Sequence, residues 1–262
     1  MKGDRRRRYR VVALAAGGAL AGYLVLLVVV GWATGGMVAR DVRARLAASL
    51  DADADVGGAR VSLVRGAASI RDISVRREHD GYLSLDLDRL DLDVAPLGAV
   101  LWDRDPRAVS VRGGRLEVTG LGVLRLPRRP AHPPIRVGAL ALDDCAIVLA
   151  TAGMMTGLTR VQLTIERARS GETVLRTALS WLFTLQELVA RVELAGGVTV
   201  RLEYRGGVLS AAGGPFGAVP VVIPFEIPPA GDDEVEQLAA IGKQLGKELA
   251  MAEARRVWRN LQ

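Results

Sequence analysis

Asp86, Asp88, Asp91 and Asp93 are the densest set of ligating side chains in this 262-residue chain. Carboxylates so close together could hold a calcium ion, but their spacing argues otherwise. They alternate with Leu83, Leu85, Leu87, Leu90 and Leu92. On an extended strand that alternation puts leucines on one face and carboxylates on the opposite, wet face. Calcium ligands converge from a loop instead. Cys145 is the only thiol, so the chain has neither an internal disulfide nor a cysteine metal site. Asp143 and Asp144 beside it oppose thiolate formation, and it reads as a small turn residue. His79 and His132 stand far apart without a motif and read as solvated. No His-Glu-x-x-His, Gly-x-Ser-x-Gly or Gly-x-x-x-x-Gly-Lys occurs. The expectation is a protein that is not an enzyme, with no cofactor and no metal.

The elements that carry these residues read as long strands. The leucine alternation slips once, between Leu87 and Leu90, where one extra residue fits a β-bulge that bends the sheet and keeps its apolar side inward. Shorter alternating runs surround Val61–Val64, Ile70–Val75 and Val161–Ile165. A ten-residue pattern recurs at Val109–Val118, Leu140–Leu149 and Leu202–Ala211, each with a small or polar pair at its centre. Read as hairpins, they pair Val111 with Leu116, Leu142 with Ile147 and Tyr204 with Leu209. Residues 126–134 hold four prolines and break the β body. Two stretches read as helices in the body: residues 37–50, with Val38, Val42, Leu46 and Leu50 on one side, and an apolar insert over 173–192. A third, over 232–260, carries a stripe of Leu238, Ile241, Leu245, Leu249 and Ala252, with Asp232 or Asp233 as its cap.

Charge and hydropathy point to a membrane. Half the residues are apolar, yet only 4% are aromatic. Residues 1–10 carry +5 of the net +6, so the basic balance belongs to a tail rather than to a nucleic-acid-binding face. Residues 11–33 contain no charge and are long enough to span a bilayer. The arginines before them should stay cytoplasmic. That length favours an uncleaved signal anchor over a signal peptide. The fold expected is α+β: an N-terminal transmembrane helix, then a curved, mainly antiparallel β-groove sheet over 56–228 with a helical insert, and a long C-terminal helix.

The order of these pieces resembles the N-terminal part of the AsmA-like (AsmA/TamB/YhdP) family. The resemblance is carried by the basic tail and anchor, by Val61-Ser62-Leu63 and Ile70-Arg71-Asp72-Ile73-Ser74-Val75, and by the runs at 83–94 and 109–118. It implies a single-pass inner-membrane protein with a periplasmic body, similar to bridge-like lipid-transfer proteins whose β-groove holds acyl chains. It brings no catalytic residues. Known members are longer. At about 4.8 Å per strand, ten to twelve strands stack to roughly 50–60 Å, short of a span across the periplasm.

The function expected is therefore binding or guiding of phospholipid or another acyl lipid in envelope and outer-membrane biogenesis. The lining would be Leu83, Leu85, Leu87, Leu90, Leu92, Val94, Val109, Val111, Leu140, Leu142 and Leu202. The alternative is a scaffold that transports nothing, in which helices fill the same face and the C-terminal helix docks an envelope protein. No nucleic-acid partner is expected.

Overall fold

Period-two alternation extends over most of the chain after residue 52, and strands follow it. The computed structural model describes residues 34–48, 52–62, 65–78, 82–94, 105–119, 135–153, 157–175, 180–194, 196–231 and 233–261. The strands among them are β1 (Asp53–Ser62), β2 (Ala67–Arg77), β3 (Tyr82–Asp93), β4 (Ala108–Thr119), β5 (Ile135–Val137), β6 (Leu140–Gly153), β7 (Gly157–Ser170), β8 (Thr173–Leu175), β9 (Leu185–Leu194), β10 (Val198–Arg205), β11 (Val208–Ala212) and β12 (Val221–Pro224). Ten of them form one sheet in the order β1-β2-β3-β4-β6-β7-β9-β10-β11-β12, and β5 pairs with β8 in a separate ribbon. Every neighbouring pair is antiparallel except β4 and β6, which run parallel. Parallel pairing requires the chain to return to the same end of the sheet. The Pro-rich break lies in that connection, outside the described residues.

Two helices flank the sheet. Residues 34–48 are helical (α1), and Val42, Leu46 and Ala47 pack on Ala54, Ile70, Ile73 and Val75 of the first strands. Helix α2 (Glu234–Leu261) packs Leu245, Leu249 and Ala252 on Val200, Tyr204, Leu209, Ala211, Val221 and Ile223 at the other end. Asp233 caps α2, its carboxylate accepting the Glu236 amide at 3.0 Å. Ser180 donates to the buried Glu234 carboxylate at 2.8 Å, which ties the start of α2 to a 3-10 turn at Ser180–Thr184.

A line of interrupted pairings crosses the sheet. The pairings skip Gly57, Asp72, Asp88, Gly113, Asp144 and Glu166, which sit side by side in β1, β2, β3, β4, β6 and β7. Asp72, Gly113 and Asp144 have φ values of 53°, 61° and 55°. The register is preserved on both sides of the line except between β7 and β9, where Glu166 is an extra residue. Elsewhere each interruption faces another on the neighbouring strand, and this shared slip of the alternation forms one transverse line, the crease. The slip between Leu87 and Leu90 is one member of this line.

The expected α+β architecture is corrected in several places. The helical insert over 173–192 does not form. Those residues give β8, the 3-10 turn and β9. Leu188, Ala190 and Val192 alternate with Glu187, Val189, Arg191 and Glu193, and pairing with β7 and β10 selects that period over the helical one. Two of the three hairpin readings are also wrong. Val109–Val118 and Leu140–Leu149 are each a single strand, and their central pairs sit at the crease. Cys145 is accordingly a buried residue inside β6 rather than a turn residue. Only Leu202–Ala211 turns back, where Gly206 and Gly207 both have positive φ and Tyr204 faces Leu209.

The transmembrane helix of the expected fold is not supported. Among the described residues, no helix is long and apolar enough to cross a membrane. Acidic and basic residues recur along α2, including Glu236, Lys243, Lys247 and Glu253. The expected span, 11–33, lies outside the described residues. What stands is a large, mostly antiparallel sheet flanked by helices at its two ends.

Candidate functional site: the apolar face of the sheet

Cross-strand pairing gathers the leucine row of β3 into a continuous apolar surface. Leu83 pairs with Val118, Leu85 with Leu116, Leu90 with Val111 and Leu92 with Val109. On the next strand, Val109, Val111, Leu116 and Val118 pair with Leu140, Leu142, Ile147 and Leu149. Directly paired side chains point to the same face, so these three strands present one apolar patch. The predicted residues Leu83, Leu85, Leu87, Leu90, Leu92, Val109, Val111, Leu140 and Leu142 all lie in it. Val94 lies just past the end of β3. Leu202 is on the same face but far along the sheet, packed in the cluster beneath α2.

Parts of this face are covered. α1 packs over the cluster that includes Leu85, Leu87 and Leu90. Trp181 of the 3-10 turn joins Val111, Leu142 and Ile147 around Cys145, Ile165 and Ala168. Leu83, Leu92, Val109, Leu116 and Leu149 stand outside all three core clusters, and Leu149 is 41% exposed. The uncovered apolar strip of β3, β4 and β6 is therefore interrupted: Leu92 pairs with Val109 at one end of the strands, Leu83 and Leu149 flank Val118 at the other, and Leu116 lies between Leu85 under α1 and Ile147 beside Trp181. Leu116, Val118, Ile147 and Leu149 were missing from the predicted lining. Their periodicity is visible, but a bulge and a two-residue turn both leave these residues on one face, and the turn reading sent them to separate strands.

The opposite face is polar and internally paired. Asp86 accepts from Ser74 at 2.8 Å and Ser84 at 3.2 Å, with Arg76 at 3.6 Å. Arg89 meets Asp91 at 2.8 Å, Arg169 meets Asp143 at 2.7 Å, and Arg191 meets Glu166 at 2.5 Å. The four aspartates of β3 thus do not converge: Asp86 and Asp91 take separate partners and Asp88 sits in the crease. Among the described residues, no group of three potential ligands could hold a metal ion. Burial pushes the Cys145 thiol above its ordinary range, and the charges of Asp143 and Asp144 push the same way.

Burial works to raise the Asp91 carboxyl, but the hydrogen bond from Arg89 and the charges of Arg89 and Arg112 outweigh it and hold it below its ordinary 3.8. A lowered folded pKa favours the folded state above the unfolded pKa, and that contribution disappears as pH falls through the folded value. The wild-type melting temperature should therefore fall more steeply than that of Asp91→Asn as pH drops below about 4. Parallel melting curves from pH 6 to pH 2 check this, and identical slopes would contradict it.

No protein-family model matches the chain, and no curated protein matches it in sequence.

Proposed function

We propose that the strip over β3, β4 and β6 is a groove for the acyl chains of a phospholipid or similar lipid. The observation that carries this reading is the set Leu83, Leu92, Val109, Leu116 and Leu149, all on one face and outside every core cluster. Apolar surface of this kind, rimmed by polar residues, marks ligand grooves and interaction sites. The setting we attach to it is the envelope of a diderm bacterium, as the resemblance to AsmA-like proteins implies. The protein would hold or pass on lipid there without chemical change.

A second reading rests on a different observation. α1, α2 and Trp181 already cover much of the same face, as a scaffold that transports nothing would require. Met251 and Trp258, exposed on α2, would then contact its envelope protein partner.

Native mass spectrometry with lipid extraction on the full chain separates the two. The groove reading expects co-purifying phospholipid. Val109→Asp and Leu116→Asp should each reduce it at least tenfold with circular dichroism unchanged. Arg115→Ala, on the polar face, should retain it. Folded wild-type protein free of lipid would sink the groove and favour the scaffold.

A further inference from the structure

The polar row carries a second concave feature, whose lining shares Leu92, Val109 and Leu140 with the apolar face. Two open cavities of about 450 and 520 Å³ meet at Ala108 and Ser110. Both follow one cross-strand row: Arg60, Ser69, Asp91, Ser110, Ala141, Arg169, Glu187 and Arg205, each paired with the next. Short side chains at the centre of the row leave a trough, and longer ones rise at its ends.

The arginines of this trough differ in what they bind. Arg89 and Arg169 are engaged by Asp91 and Asp143. Arg60 and Arg65 line the 450 Å³ cavity, and among the described residues no carboxylate lies within ion-pair distance of either. Ser62 and Ser69 line the same cavity, and Asp93 lines it from β3.

We infer that this cavity binds a phosphate ester bearing free hydroxyl groups. Two guanidiniums without carboxylate partners offer paired donors that match phosphate oxygens, and the Ser62 hydroxyl adds a short-range donor. The volume lies within the usual range for small-molecule sites and far exceeds what a bare inorganic anion fills. The remainder of the ligand therefore occupies the side of Asp93, a carboxylate that accepts hydrogen bonds from alcohols and repels a second phosphate. A phosphorylated polyol has this chemistry, whether free or as the headgroup of an anionic lipid.

The test uses the full chain and glycerol 3-phosphate in isothermal titration. Saturable binding is expected, tighter than for inorganic phosphate. Arg60→Ala with Arg65→Ala should weaken it at least tenfold. Both side chains are exposed, so circular dichroism should not change. Asp93→Asn should narrow the preference for glycerol 3-phosphate over inorganic phosphate. Flotation with phosphatidylglycerol vesicles, against phosphatidylcholine vesicles, distinguishes the sources. Binding to the former that glycerol 3-phosphate displaces assigns the site to a headgroup, and glycerol 3-phosphate binding without flotation assigns it to a soluble ester. Absence of saturable binding to both probes, or equal binding by the double arginine variant, would overturn the proposal.

Discussion

Leu249→Ala should loosen α2 from the sheet and lower the stability of that docking by about 2–5 kcal/mol, the usual range for emptying a buried leucine site. Leu249 is 6% exposed and lies among Val200, Tyr204, Leu209, Ala211, Val221 and Ile223. Leu245 and Ala252 pack beside it on the same cluster, and the Ser180–Glu234 hydrogen bond holds the start of the helix. It is charged along its length, and its tertiary contacts are concentrated on β12 and the adjoining cluster. A helix of this kind owes its order to packing rather than to propensity. Lys243 and Lys247 are exposed on α2 and offer cleavage sites for trypsin. If cleavage proceeds through local opening, even the lower estimate of about 2 kcal/mol accelerates it roughly thirtyfold. Met251→Ala, at an exposed position of the same helix, should stay within about 0.5 kcal/mol of wild type. Equal proteolysis of Leu249→Ala and wild type would show that α2 does not depend on this contact.

Much of the sheet was legible because its strands obey one period. The leucine row of β3, the turn at Gly206-Gly207 and the stripe of α2 can each be read from spacing alone. The failures share a physical cause. A bulge residue with positive φ and a two-residue turn draw on the same residues, Gly and Asp, and each restores the apolar phase after interrupting it. Gly113-Gly114 and Asp143-Asp144 therefore carry a local signal that cannot separate a strand that continues from one that turns back. What separates them is pairing with strands distant in sequence, above all the parallel contact of β4 with β6. The segment from Leu185 to Leu194 failed for a related reason. It is apolar enough to satisfy a helical stripe as well as an alternation, and its neighbours β7 and β10 decide. The polar trough left no local signal, because its row takes one residue from each of eight strands. Local spacing carries no information about such a row.

Gly113→Val should be among the most damaging single substitutions in the sheet, lowering stability by roughly 2–5 kcal/mol. Two separate penalties contribute. Gly113 has φ +61°, a conformation that a β-branched residue strongly resists. In addition, a Cβ placed there would lie 2.0 Å from Asp88 Oδ2 and 2.9 Å from Asp88 Cβ. The Asp88 side chain lies against the Gly113 backbone, so glycine is a packing requirement at this position. The same arrangement recurs at the edge of the line, where a Cβ on Gly57 would lie 2.8 Å from that of Asp72. Asp72 and Asp144 adopt positive φ with their side chains in place, so the backbone of the line does not by itself demand glycine. A double-mutant cycle with Asp88→Gly separates the two penalties. Removing the Asp88 side chain should recover the steric part and leave the conformational part, measured by chemical denaturation. Full additivity of Gly113→Val and Asp88→Gly would mean that the interruptions act one by one, and that their alignment across the strands does not couple them.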